Sequence, residues 1–215
     1  MSLTNRLWLT ACTGIELQIL PNDRYSCRYC RISVKNDELF IQETKEVGGS
    51  LSEVIGKLPK DRPVSLVISG KVVLNKVVAS PDSPKNVSAQ YPTIKVEDFY
   101  VQEFSSGGCS FFSIIRRTAV DAIVSHLKGA KLEILSVSLG PFVVAHITSQ
   151  LNQYGSELIF DGHRVGVENG GWRSYQFEEG LKCKYDLKID NERIGEQFLI
   201  SYAAAFQLAL YNRLD

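Results

Sequence analysis

The sequence has no surplus of either charge: Lys+Arg and Asp+Glu both total 24 in 215 residues. A balanced surface offers no basic field for a phosphate backbone and no acidic tail, so nucleic acid is excluded as the expected partner. Long apolar runs are also missing. Nothing approaches the roughly 20 residues that span a bilayer, and residues 7–12 are too short and too polar-flanked for a signal-peptide core. The chain is therefore expected to meet a membrane only through partners or through a segment outside this sequence. Five cysteines make an odd, sparse set, and the three histidines, His126, His146 and His163, are scattered. Neither pattern gives a disulfide framework or a metal site, and a reducing cytoplasm is the expected compartment. What is present is ordinary: 44% hydrophobic and 22% charged residues, enough for a substantial core.

The most consistent stretch is 98–147, which reads as two strands, a helix, a strand and a second helix. Strands at 98–104 and 109–116 are split by Ser105-Ser106-Gly107-Gly108, a hairpin composition. Thr118 is placed to cap a helix with Val120, Ile123, Val124 and Leu127 on one face, and Gly129 suits its end. A strand over 132–139 follows, then a helix that Gly140-Pro141 starts and that should end near Gly155. Upstream, strands at 7–20, 25–34 and 39–44 form an antiparallel meander with turns at Pro21-Asn22-Asp23 and Asn36-Asp37. Ser50 and Glu53 form a capping-box pattern before Leu51, Val54, Ile55 and Leu58, and strands at 64–68 and 72–78 follow. Residues 80–85 carry two prolines and small polar residues, which places a junction there. Downstream, 158–160, 163–167 and 172–177 form a second meander with turns at Asp161-Gly162 and Asn169-Gly170. Residues 185–189 extend it, and Asp190 is placed to cap a long helix through Leu210.

A meander followed by a helix thus occurs twice. The expected fold class is α/β, with α+β mixed sheets, in three parts: 1–80, 81–155 and 156–215. Met1-Ser2-Leu3 reads as an expression remnant, and the last helix runs to Asp215 without a stop signal, so a piece of a longer protein is expected.

The chemical candidates are weak. Cys27-Arg28-Tyr29-Cys30 has redox spacing but lies mid-strand, where the two thiols point to opposite faces. The histidines have no nucleophile elbow beside them. Glu157, Asp161, Glu168, Glu178 and Glu179 fall at strand ends, and Arg116-Arg117 reads as a surface pair flanking a strand. Gly170-Gly171-Trp172-Arg173-Ser174-Tyr175 with Phe111-Phe112 reads as core, with an exposed contact surface as the alternative.

Thr13-Gly14-Ile15-Glu16-Leu17 stands where actin-like (ribonuclease-H-like) proteins begin with Gly-Ile-Asp-Ile-Gly. Val64-Ser65-Leu66-Val67-Ile68-Ser69-Gly70 followed by Leu74-Asn75-Lys76-Val77-Val78 resembles a strand, Pro-Gly-type turn and returning strand of the PilM-like and GspL-like cytoplasmic subunits of type IV pilus and type II secretion assembly platforms. Glu97-Asp98-Phe99-Tyr100, Arg116-Arg117-Thr118 and Leu139-Gly140-Pro141 are similar to that family's inserted subdomain, and Ile200-Ser201-Tyr202-Ala203-Ala204-Ala205-Phe206 to its Ala-rich helix. The resemblance implies two actin-like lobes with an inserted αβ subdomain and a shortened second lobe. It also implies a non-catalytic scaffold at the inner face of a bacterial inner membrane. The implied partners are inner-membrane platform proteins and a secretion or pilus ATPase, with a homodimer also compatible.

Departures from the family bear on the site. Gly14, Glu16 and Gln18 occupy vestigial phosphate-loop positions: the carboxylate is Glu16, and Gln18 replaces the glycine that lets backbone amides approach phosphate. Phe160-Asp161-Gly162-His163 is the relic of a second phosphate loop, and the adenine-pocket region after residue 177 is short or missing. No catalytic residue, cofactor or metal is therefore expected. The alternatives are an actin-like-superfamily ATP-binding enzyme or kinase with a divergent phosphate loop, and a ligand-binding α+β domain of unrelated fold.

Overall fold

The computed structural model describes residues 9–36, 38–78, 87–190 and 192–211, so the junction expected at 80–85 lies outside the described residues. The chain is a mixed α+β structure built mostly of strands in several sheets. β1 (Ala11–Leu20), β2 (Arg24–Lys35) and β3 (Glu38–Gly49) form the first antiparallel meander. Asn22 and Asp23 turn it with φ of 60° and 52°, a conformation their short polar side chains tolerate. Leu20 then faces Arg24, and by register Glu16 faces Arg28.

α1 (Leu51–Gly56) starts at Ser50. The Ser50 hydroxyl accepts from Glu53 N–H, and the Glu53 carboxylate accepts from Ser50 N–H at 2.8 Å, the reciprocal cap read from the sequence. β4 (Val64–Gly70), β5 (Leu74–Val78), the short α2 (Val87–Gln90), β6 (Phe99–Ser106), β7 (Cys109–Arg116), α3 (Arg117–Gly129) and β8 (Ile134–Leu139) follow. β4 lies parallel to β1 and β8 parallel to β4, giving the five-stranded order β3-β2-β1-β4-β8. β5, β7 and β6 form a separate antiparallel sheet in the order β5-β7-β6.

Alternation along the strands separates the two faces of the large sheet. Ile15, Leu17, Cys27, Tyr29, Leu66 and Ile68 point into a layer that α1 closes with Val54 and Ile55 and α3 with Val120, Ile123 and Leu127. The apolar face of α3 thus serves the large sheet. Its start also differs from the sequence reading: the helix begins at Arg117, and no side chain caps it, so Thr118 is inside the first turn. The helix over 141–150 is a 3-10 helix, Pro141–Gln150, and stops short of Gly155.

β9 (Glu157–Phe160), β10 (His163–Glu168) and β11 (Gly171–Phe177) form the second meander. Asp161-Gly162 and Asn169-Gly170 supply its turns, each with both residues at positive φ, the twist that two-residue hairpins favour. The expected extension at 185–189 pairs elsewhere: β12 (Lys188–Ile189) joins β13 (Glu192–Arg193). Asp190 sits in that turn at φ 55°, where a short carboxylate is tolerated, and caps no helix. The long helix, α4 (Leu199–Tyr211), begins later.

α4 packs on the other face of the large sheet, against β1, β2, β4 and the Pro141–Gln150 helix, and not over the second meander. The reason is local. Cys12, Gly14 and Ser65 keep the sheet face low, and α4 meets it with Ser201, Ala204 and Ala205, all fully buried. The Cys12 thiol donates to Ala205 O at 3.3 Å. A Cβ on Gly14 would lie 1.8 Å from Ser201 O and 2.6 Å from Ala205 N, both backbone atoms that cannot rotate away. Gly14→Ala is expected to lower the unfolding free energy by about 3 kcal/mol, at the upper end of overpacking costs, because helix and sheet must separate. Urea unfolding of the variant checks this; a loss within the range of an exposed substitution would contradict the packing.

Candidate functional site

Glu16 stands on the α4 face of β1 and is 1% exposed. Its Oε1 accepts from Ser69 Oγ at 2.8 Å and Gln18 Nε2 at 3.1 Å, and its Oε2 lies 3.8 Å from Arg28 Nη1. Burial raises the Glu16 pKa; Arg28 and the two hydrogen bonds oppose that shift. Arg28 reaches beyond Glu16 to the carboxylate of Asp161 in the β9–β10 turn, with which it forms an ion pair, and its Nε lies 3.5 Å from Glu46. Asp161 is held in turn: its N–H donates to Glu196 Oε2 at 3.0 Å, and Lys182 Nζ lies 3.6 Å from Asp161 and 3.3 Å from Glu196. Charges of alternating sign therefore run Glu16, Arg28, Asp161, Lys182, Glu196 between the large sheet and the second meander.

The structure thus brings Glu16 and Asp161 together with an arginine between them. Gly14 serves α4 and contributes no open cradle, and Gln18 turns its amide onto Glu16. Arg28, Lys182 and Glu196 were not among the residues singled out from the sequence. For Arg28 a signal existed, since the turn at 21–23 sets residue 16 opposite residue 28. For Lys182 and Glu196 none did, because they arrive from loop and helix-start positions.

A cleft of about 680 Å³ opens beside this network. It lies at the carboxyl ends of the parallel strands β1, β4 and β8, where open α/β sheets commonly receive ligands. Gln18, Ser69, Gly70, Leu74, Asn75, Gly140, His163, Tyr175 and Phe177 are among the residues that line it. Its glycines are used for packing. A Cβ on Gly70 would meet Ile19 O at 2.6 Å, and one on Gly140 (φ 67°) would meet Asn75 Oδ1 at 2.7 Å. Lys71 pairs with Glu179 across the rim at 3.3 Å. His163 is buried beside Phe160 and Phe177, its Nδ1 3.0 Å from the Tyr175 hydroxyl, and burial pushes its pKa down to about 4. A neutral imidazole at neutral pH adds no cation to the cleft.

The other candidates have structural surroundings. Cys27 and Cys30 belong to the two opposite core layers, and burial raises both thiols, Cys30 to about 12. Arg116 and Arg117 stack on Phe99 and Tyr100 at 5.2 and 4.3 Å, and Arg117 donates to Glu97 O. Trp172 is core: Phe104, Phe111 and Phe142 meet its ring edge-on at 6.0 to 6.2 Å, and its Nε1 donates to Thr148 Oγ1 at 2.9 Å. Phe112 is buried too. His126 and His146 are both exposed; His126 Nδ1 lies 2.7 Å from Ala122 O, and partial desolvation lowers the His146 pKa. Glu157, Glu168, Glu178 and Glu179 are exposed at strand ends, apart from Asp161. Among the described residues no group of three His, Cys, Asp or Glu side chains is placed to hold a metal ion. No helix among them is long and apolar enough to cross a membrane.

No family model matches the chain, and no curated protein does. Solved structures do. A chain of the PilM-PilN type IV pilus biogenesis complex is similar with a TM-score of 0.51 and 12% identity, over 78% of this chain and 61% of that one. The cytoplasmic domain of EpsL, an inner membrane component of the type II secretion system of Vibrio cholerae, is similar with a TM-score of 0.49 and 14% identity, over 78% of this chain and 71% of that one. The likeness to the PilM-PilN structure is one of fold, and this chain spans about 61% of the length of that neighbour.

Two outcomes are expected of the site. Arg28→Met leaves the buried Glu16 without a cation and Asp161 with Lys182 alone, and should cost about 3 kcal/mol, the scale for breaking a buried pair. Adding Glu16→Gln should recover part of that loss, a coupling that a double-mutant cycle measures. The second concerns pH. The unfolded chain protonates His163 near 6.5 and the fold only near 4, so stability is full above about 6.5 and falls between there and about 4, by roughly 1.4 kcal/mol per unit. From pH 7 to pH 5 the parent should lose about 2 kcal/mol more than His163→Gln in parallel urea titrations; identical losses would contradict the buried, neutral imidazole.

Proposed function

We propose that the chain is a non-catalytic cytoplasmic scaffold in a bacterial type II secretion or type IV pilus-like assembly platform. It works at the inner face of the inner membrane by binding platform proteins and a secretion or pilus ATPase. The observation that carries this reading is Arg28, set between Glu16 and Asp161. In a nucleotide-binding actin-like protein those two positions face the metal and phosphates; here a fixed guanidinium already stands between the two carboxylates. Gln18 stands in place of the close-approach glycine, and Gly14 is closed by α4. Such a site holds a fixed cation beside the carboxylates and, at Gly14, no open backbone for a phosphate.

The fold reading behind this is actin-like. The strand order β3-β2-β1-β4-β8, with an antiparallel meander extended by parallel strands, supports a ribonuclease-H-like first lobe. The β5-β7-β6 sheet is read as the inserted subdomain and the second meander as the core of a shortened second lobe. The likeness in fold to the PilM-PilN structure supports the same branch. A second reading, an ATP-binding enzyme or kinase of that superfamily, is favoured by the cleft of about 680 Å³ at the strand ends.

Mg-ATP separates the two. A nucleotide at a hundredfold its Kd stabilises by about 2.7 kcal/mol, which in a chain of this size moves Tm by about 5–10 °C. The scaffold predicts an unchanged Tm at millimolar Mg-ATP. A shift of that size in the parent that disappears in Glu16→Ala would overturn it. Partner binding is read separately, as salt-resistant retention of the added protein on inner-membrane vesicles from its source organism.

A further inference from the structure

A second groove, of about 520 Å³, shares no lining residue with the cleft. It runs between the first residues of β3, the β12–β13 turn and α4. Leu39, Ile41, Ile189, Tyr202 and Phe206 make its floor, and Phe40, 38% exposed, stands at its lip. Its rim is acidic: Glu38, Asp190 and Glu192 are all exposed, and none is in an ion pair among the described residues. Asp190 and Glu192 lie near enough to the Tyr202 hydroxyl to add to the rise in its pKa that burial causes.

β3 is the outermost strand of the large sheet, bonded to β2 on one side only. An open edge is a template for another strand. Further along, Glu43, Lys45 and Glu46 and the register shift opposite Arg31 and Ile32 spoil it for pairing, the usual protection of an edge. Residues 38–41 are left open beside an apolar floor.

We propose that this groove binds an extended segment of a partner protein in which apolar side chains alternate with Lys or Arg, laid along Glu38–Ile41 as an added strand. Alternate residues enter the floor, and the intervening cations reach the three rim carboxylates, none of which is in an ion pair among the described residues, although Lys35 stands opposite Glu38 in the register. An acidic or neutral strand would leave those carboxylates uncompensated. Cytoplasmic segments next to membrane spans are rich in Lys and Arg, so this chemistry deepens the platform reading, on which it rests, by specifying what the membrane partner presents.

The test uses fluorescein-labelled octapeptides of alternating Val-Lys, Val-Glu and Val-Ser, with binding read by fluorescence polarisation. The Val-Lys peptide should bind at least about tenfold tighter than the Val-Glu peptide, a difference of about 1.4 kcal/mol. Its affinity should fall with salt. The triple variant Glu38→Gln, Asp190→Asn, Glu192→Gln should abolish the preference, and Phe40→Ser should weaken binding of all three peptides. These side chains are exposed, so an unchanged Tm certifies each fold. Equal affinity for Val-Lys and Val-Glu, or Val-Lys binding that survives the triple variant, overturns the site. So does concentration-dependent dimerisation lost in Phe40→Ser, since a second copy then covers β3. Failure here with membrane retention intact removes the groove alone; peptide binding with no membrane retention removes the platform reading alone.

Discussion

The contact on which the most of this structure depends is the approach of α4 to β1 at Gly14. One strand residue without a side chain lets the helix backbone settle directly on the sheet, with Ser201 O and Ala205 N where a Cβ would be. The last described helix is thereby tied to the first strand of the chain, and the Pro141–Gln150 helix and the second meander complete one apolar layer around it. The opposite layer, under α1 and α3, is made by ordinary side-chain burial and needs no such fit.

The second constraint is electrostatic. Glu16 is buried because α4 covers its strand face, and a buried carboxylate without compensation is costly. Cross-strand register delivers Arg28, and the β9–β10 turn delivers Asp161 to the same Nη1 that faces Glu16. Packing and charge are coupled: the helix that removes water from Glu16 also makes its partner necessary. Among the described residues that line the neighbouring cleft no cation is free, since Lys71 is paired at the rim and His163 is neutral.

The two grooves differ in kind. The cleft at the strand ends has polar groups already satisfied by one another, including His163 with Tyr175 and Asn75 with Ser113. The groove at β3 has an apolar floor, the edge strand of the large sheet and carboxylates that form no ion pair among the described residues.

Hairpins, sheets built of short strands and the Ser50–Glu53 cap were legible in the sequence because each rests on neighbours a few residues apart. Asn22-Asp23, Asp161-Gly162 and Asn169-Gly170 turn where their φ preferences dictate. Local reading failed where a residue had two local uses: Asp190 could cap a helix or turn a hairpin, and pairing of Lys188–Ile189 with Glu192–Arg193 chose the turn. Thr118 fell inside the helix because the end of β7 set its start at Arg117. Glu16 could be identified from the sequence, and so could Asp161, but not the arginine between them. What the sequence by itself determined was the alternation of elements, the two faces of each strand and the small residues at Gly14 and Ala205. That α4 lies on the first sheet and that Arg28 joins two carboxylates 145 positions apart in the chain (161 − 16) were decided only in three dimensions. Such contacts depend on which surfaces are complementary in shape and charge, and sequence separation carries no record of that.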